Sequence, residues 1–178
     1  MFSPTTKVYA PDGYVRIRKL KINDESIVLE GIRMLVGRVH FRQKIKVHRD
    51  KIVKLQFDSC DKKITCSEDQ VFYDIQDQPI YAKQIPVGDS VKGLHHNHHK
   101  LTGREAIEHD NQLSKLESAG HHEFFLYNLL LTNPKTHQYV QRFYLNSGLL
   151  TKGLEYTEVE NLLSKEETAY HKYMESKA

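Results

Sequence analysis

Seven of the chain's eleven histidines crowd into LHHNHHKLTGREAIEHDNQLSKLESAGHHE, as His95, His96, His98, His99, His109, His121 and His122. Imidazole is a good ligand for zinc, nickel or copper, so chemistry is looked for here first. The closest four, His95, His96, His98 and His99, are the candidate ligands of a divalent metal. The competing reading is a solvated loop, because adjacent histidines in a polar segment point in divergent directions. The other soft ligands, Cys60 and Cys66, sit six apart in FDSCDKKITCSED. Two cysteines are too few for a disulfide framework and favour a reducing compartment. A zinc site there would need partners from elsewhere.

The elements that must position these groups are mostly strands. PDGYVRIRKLKINDESI, from Pro11, is written a second time 65 residues later, within QDQPIYAKQIPVGDSV (Gln76–Val91). Asp12 falls on Asp77, Val15 on Ile80, Leu20 on Ile85, Ile22 on Val87, Asn23 on Gly88 and Asp24 on Asp89. Asn and Gly tolerate positive φ, so both copies call for the same tight turn. Two similar β-units in one chain point to an all-β, pseudo-symmetric domain. Lys51–Phe57 alternates as a strand and turns through SCDKK into ITCSEDQVFY. EFFLYNLLLT and THQYVQRFYLNSGLL continue the β pattern. The segment of about 93–120 reads instead as a helical insertion, with Thr102 as N-cap and Gly120 as stop. Within it His96, Asn111 and His122 follow the order of an HNH nuclease, but no hairpin precedes His96 to present it. After Gly153 a second, amphipathic helix is expected over Thr157–Met174, opened by a Thr157/Glu160 capping box.

The 178 residues suit one domain, 1–153, with a helical tail, 154–178. No apolar run is long enough for a membrane span, and MFSPTTKV lacks the features of a signal peptide. Net charge is only +3, but Lys and Arg outnumber Asp and Glu thirteen to five up to Lys54. That basic third could meet nucleic acid, with Tyr9, Tyr14 and Phe41 interleaved, although no stacking motif is recognisable.

With both β-units, the CSEDQVFY hairpin and the LYNLLLT…HQYV…NSGLLTKG ending in view, residues 1 to about 153 resemble the Hint (Hedgehog/intein) self-processing family. The resemblance implies a horseshoe-like, pseudo-twofold β-fold. It also implies where the reaction would sit. The family's first residue is a Cys or Ser that attacks the preceding carbonyl; here it is Met1, whose thioether has no proton to transfer. The family's Thr-x-x-His pair aligns with Cys66 and Asp69, or with Thr65 and Glu68 after a one-residue slip. Its strand aspartate aligns with Asn128, and a frequent histidine with His137. The terminal His-Asn aligns with Lys152 and Gly153, or less well with Leu145 and Asn146, followed by Ser147. A degenerate, catalytically inactive member is expected, with no cofactor and with Cys66 or Ser3 as the only substitute nucleophile. Such a domain would act on a protein partner or by self-assembly, through strand edges and the Thr157–Met174 helix; a viral or phage particle is one suitable setting. Residual self-processing is the alternative.

Overall fold

The computed structural model describes residues 1–107 and 116–160. Fifteen strands follow in order: β1 Lys7–Ala10, β2 Gly13–Arg16, β3 Glu25–Glu30, β4 Arg33–His48, β5 Ile52–Phe57, β6 Ile64–Ser67, β7 Val71–Tyr73, β8 Pro79–Tyr81, β9 Ser90–Lys92, β10 His98–Ala106, β11 Glu117–Ser118, β12 Glu123–Thr132, β13 Tyr139–Val140, β14 Arg142–Tyr144 and β15 Leu150–Lys152. The largest sheet runs β11-β12-β4-β3-β14-β15-β7-β8, with β13 added to β12. A second runs β6-β5-β10-β9, and β1-β2 is a separate hairpin. The all-β expectation is met.

The duplication extends well past the repeated sequence. Each copy is a hairpin (β1-β2, then β7-β8), a 3-10 turn (Ile17–Lys19, then Ala82–Gln84) and a second hairpin (β3-β4, then β9-β10). The turn into the second hairpin carries Asn23 at φ 74° in one copy and Gly88 at φ 102° in the other. That is the left-handed backbone the Asn/Gly pair anticipated. The hairpin's opening rung is also the same: Asn23 N–H donates to Val39 O and Val39 N–H to Asp24 O, while Gly88 N–H donates to Leu101 O and Leu101 N–H to Asp89 O.

This corrects the start of the expected helical insertion. Thr102–Ala106 is strand, the end of β10, and Leu101–Ala106 pairs with β5. The segment of about 93–120 thus begins as the return strand of the second copy. The offset between copies drops from 65 to 62 across the hairpin (Arg42 to Arg104), so the second hairpin is three residues shorter. Residues 108–115, where the rest of that helix was expected, lie outside the described residues.

One arginine per copy fastens the 3-10 turn to the long strand. Arg42 Nη1 donates to Leu20 O at 3.1 Å and to Arg18 O. Its counterpart Arg104 Nη1 donates to Ile85 O and Ala82 O. Hydrogen bonds from a charged donor contribute roughly 1.5–3 kcal/mol. Arg42→Met and Arg104→Met, which keep the stem and lose the donors, are each expected to cost about 1–3 kcal/mol in urea melts.

The copies also solve one packing problem in opposite ways. In the first, Val28 stands over Gly37, where any Cβ would come within 2.8 Å of the valine. In the second, Gly93 takes the valine's place and His99 the glycine's, with the imidazole over Gly93. His99 is 3% exposed for that reason.

The main core gathers around Phe2, Val8, Phe57, Phe72, Leu129 and Phe143. Phe2 is fully buried and meets Phe72 and Phe143 edge-on, with centroids 6.5 and 6.4 Å apart. Residues 156–160 are helical, and Leu154 and Val159 pack on Leu130. The tail helix starts at Tyr156, so Thr157 lies inside it and not at the expected N-cap; the part from residue 161 lies outside the described residues. Among the described residues no helix is long and apolar enough to cross a membrane.

Candidate functional site

Met1 and Phe2 enter the molecule as a short inserted strand. Phe2 exchanges both backbone hydrogen bonds with Tyr127 of β12, at 2.7 and 2.8 Å. On the other side Ser67 N–H donates to Met1 O at 2.9 Å, and Ser3 N–H to Thr65 O at 3.0 Å. The chain start is thereby held between β6 and β12, and the burial of Phe2 fixes its depth.

This insertion carries the Met1 α-amino group to the turn that follows β6. The amine donates to Ser67 Oγ at 3.2 Å and to Gln70 Oε1. The Gln70 amide, 4% exposed, then reaches the last strand: Nε2 donates to Thr151 Oγ1 and to Lys152 O, both at 2.9 Å. Thr151 Oγ1 passes its own proton to Val71 O at 2.7 Å. One glutamine side chain therefore ties the first residue to the end of β15. The backbone continues through Gly153, packed so closely that a Cβ there would stand 2.6 Å from Leu129 O. Leu154 N–H then donates to that same Leu129 O at 2.8 Å.

Burial dominates the electrostatics of this site. Burial lowers the Met1 amine to about 6, only partly countered by Cys66 and Asp69. Burial likewise pushes the Cys66 thiol up to about 12. Cys66 is fully buried and stays protonated at neutral pH, whereas attack on a carbonyl needs a thiolate. The other substitute nucleophile, Ser3, is also buried, its hydroxyl shared with Thr6 at 2.8 Å.

Of the positions singled out in the sequence, Met1, Cys66, Lys152 and Gly153 converge here. Asn128 follows the Tyr127 rung; by strand alternation it shares a face with Phe124 and Leu126, against which Met1 packs. Its Oδ1 accepts from Leu129 N–H at 2.9 Å, which occupies one lone pair locally. Asp69 is exposed, and Thr65 and Glu68 use other contacts; the pair that touches Met1 is Ser67 and Gln70, one residue further along. SEDQ is the same x-x spacing in a third register, and only the hairpin's geometry selects it. His137 stands apart, exposed at φ 60° in the turn between β12 and β13. Asn146 and Ser147 form the β14–β15 turn beside Cys60 and Leu94, and a closing strand follows them.

The histidines do not converge. His95 and His96 sit at positive φ in the β9–β10 turn, exposed, and strand alternation sends His98 outward and His99 inward. His99 Nδ1 pairs with Ser59 Oγ, and burial lowers its pKa. His122 meets His121 edge-on, with centroids 5.0 Å apart, and lies tilted 6.2 Å from His48 of β4, in a different hairpin from His96. Asn111 lies outside the described residues. Among the described residues no three His, Cys, Asp or Glu side chains are placed to hold a metal.

Both ends of a duplicated β-domain therefore meet at one turn, and solved structures share that plan. The bacterial intein-like domain from Clostridium thermocellum superposes with a TM-score of 0.68 at 15% identity, over 85% of this chain and 97% of that one. This is the Hint fold. The Ssp DnaB mini-intein variant M86 gives 0.64 at 9% identity, over 86% and 95%. The gp41-1 intein gives 0.60 at 18% identity, over 85% and 97%. No family model and no curated protein sequence matches the chain.

These shifts set a pH dependence. The amine's folded pKa, about 6, lies below its unfolded value of 8.0, so the unfolded chain binds the extra proton between them. Stability therefore rises with pH from about 6 to 8, by at most about 3 kcal/mol. Lowering of the His99 pKa adds to the rise on its acid side. The raised Cys66 pKa acts oppositely: the unfolded thiol ionises from about pH 9.0, and stability falls above it. Urea melts across this range should show a maximum between about pH 8 and 9; a flat profile from 6 to 8 would remove the buried amine from the account.

Proposed function

We propose that this chain is a catalytically silent Hint-fold domain that serves as a binding or assembly module. The observation that carries this is Met1 held at the turn after β6 by Phe2, Ser67 and Gln70, a place we read as that of the processing nucleophile, with Gln70 and Gly153 read at those of the polarising histidine and the cyclising asparagine. A thioether has no proton to lose and forms no stable acyl intermediate. Two further features support the reading. Gln70 is a neutral amide where proton transfer to the leaving nitrogen calls for a histidine. At Gly153, close packing on Leu129 O leaves no room for a side chain, and so none for an asparagine that could cyclise.

The assembly half rests on surface. Ile32, Met34 and Val36 stand exposed along the β3–β4 hairpin, with Ile32 97% accessible, and exposed apolar groups in a row favour a protein partner. The amphipathic tail adds a second candidate face. A non-reacting domain of this kind suits a building block, for instance of a viral or phage particle.

The test is sedimentation of the full chain against one ending at Glu160, which keeps Leu154 and Val159 in place. Self-association that disappears in the shorter chain, or in Ile32→Ser with Met34→Ser, supports assembly. A full chain that stays monomeric at all concentrations speaks against it. Residual self-processing remains the second reading because Ser67 still offers a hydroxyl to the first residue.

A further inference from the structure

The basic first third does not spread evenly over the surface. Arg42 fastens the Ile17–Lys19 turn to β4, and in doing so sets Arg18, Lys19 and Lys21 alongside the strand that bears Lys44 and Lys46. Arg42, Lys44 and Lys46 thus share one face of the β4–β12 ribbon, beside the turn that carries Arg18, Lys19 and Lys21. Lys44 and Lys46, two residues apart, stand roughly 7 Å from one another along the strand. The acids among them are few. Asp24 is bound by the Lys21 N–H, and Glu117 of β11 pairs with Lys44 at 2.7 Å.

Aromatic rings are set between these cations, though not the ones the sequence offered. Tyr9 and Tyr14 pack on each other, and Phe41 faces Leu130 and Leu154 on the other side of the sheet. The rings present are Phe125 and Tyr127 of β12, which pair with Lys46 and Lys44. Lys44 Nζ lies 4.3 Å from the Phe125 centroid and 5.9 Å from that of Tyr127, and Arg42 lies 5.3 Å from the latter. Tyr127 OH donates to Glu117 at 2.7 Å. Glu117 therefore draws Lys44 over the partly buried Phe125 ring. A phosphate group competes with Glu117 for that lysine, and the lysine's departure opens the ring to a base.

We propose that this face of β4 and β12, with the Ile17–Lys19 turn, binds single-stranded nucleic acid. The cations hold phosphates, and Phe125 receives a base. Bases are free to stack only when unpaired, which is why the ligand is a single strand and not a duplex.

The experiment is fluorescence anisotropy of the full chain with a labelled oligothymidylate. With three to five phosphates neutralised, log K should fall against log salt with a slope of about −2 to −3.5. That is a loss of roughly 20- to 100-fold between about 50 and 200 mM. Lys44→Glu with Lys46→Glu should weaken binding at least about tenfold. Glu117→Gln should tighten it severalfold, an effect that a merely structural Glu117 would not give. Phe125→Leu keeps the core apolar and should weaken single-strand binding by about fivefold or more. No binding, salt-independent binding, or indifference to the Lys44/Lys46 change would overturn the proposal. So would equal affinity for duplex or heparin with no dependence on Phe125, the result for a surface that reads charge alone.

Discussion

Met1→Cys combined with Gln70→His is expected to make this chain cleave a peptide bond placed upstream of residue 1. The cysteine sulfur would attack the preceding carbonyl carbon as the amide C–N bond breaks. A thioester forms, and the former amide nitrogen leaves as the free amine of residue 1. That nitrogen needs a proton, and position 70 is the group that already touches it. A glutamine amide cannot give up a proton at neutral pH; an imidazolium can. General acid catalysis contributes about 10²–10⁴-fold, so Met1→Cys alone should be slower than the double variant by that order. Ser67, 3.2 Å from the same nitrogen, needs no change. Release of the upstream peptide on adding an exogenous thiol, followed by intact mass, reads the rate directly. If both variants fold and neither releases peptide, the Gln70 assignment is wrong.

Gln70→Leu carries the largest expected loss of stability. It is nearly isosteric, so the packing is kept and the hydrogen bonds alone are removed. The Met1 amine loses an acceptor, Lys152 O loses a donor, and the Thr151 hydroxyl loses one of its two partners. A buried polar group left without a partner costs about 1–3 kcal/mol, and two are affected strongly. The loss should come to about 2–4 kcal/mol. For a chain of this size that lowers Tm by roughly 5–15 °C in a thermal melt. Gln70→Glu separates the electrostatic part. It keeps the acceptor for the amine and loses the donor to Lys152 O, so its cost should be smaller at pH 6, where the amine is charged, than at pH 8.

Much of the fold was legible because its symmetry is written in turn residues. Asn23/Gly88 and Asp24/Asp89 announce one tight turn twice, and both adopt it. The reading failed where the copies diverge. Three residues are lost across the second hairpin, so the return strand β10 falls out of frame with β4 and no longer looks like a repeat. Its sequence, HHKLTGREA, also has little strand character, and pairing with β5 overrode its local preference. The site was legible in outline, through Met1 and the Lys152–Gly153 end. Its working pair was not, because a hairpin's inward side cannot be read from x-x spacing when Thr65, Cys66 and Ser67 all fit. The histidine run misled for the same reason: alternation along a strand separates His98 from His99, and positive φ turns His95 and His96 aside.

The most direct measurement of the central claim joins a folded peptide tag upstream of Met1 in the otherwise unaltered chain. Intact mass is then followed over days, with and without hydroxylamine or a thiol. A fusion that keeps its full mass in every sample is the expected result, since Met1 offers no acyl acceptor and the Cys66 thiol is held near pKa 12. Release of the tag at residue 1, or trimming after Gly153, would contradict it and restore this Hint domain to the processing enzymes.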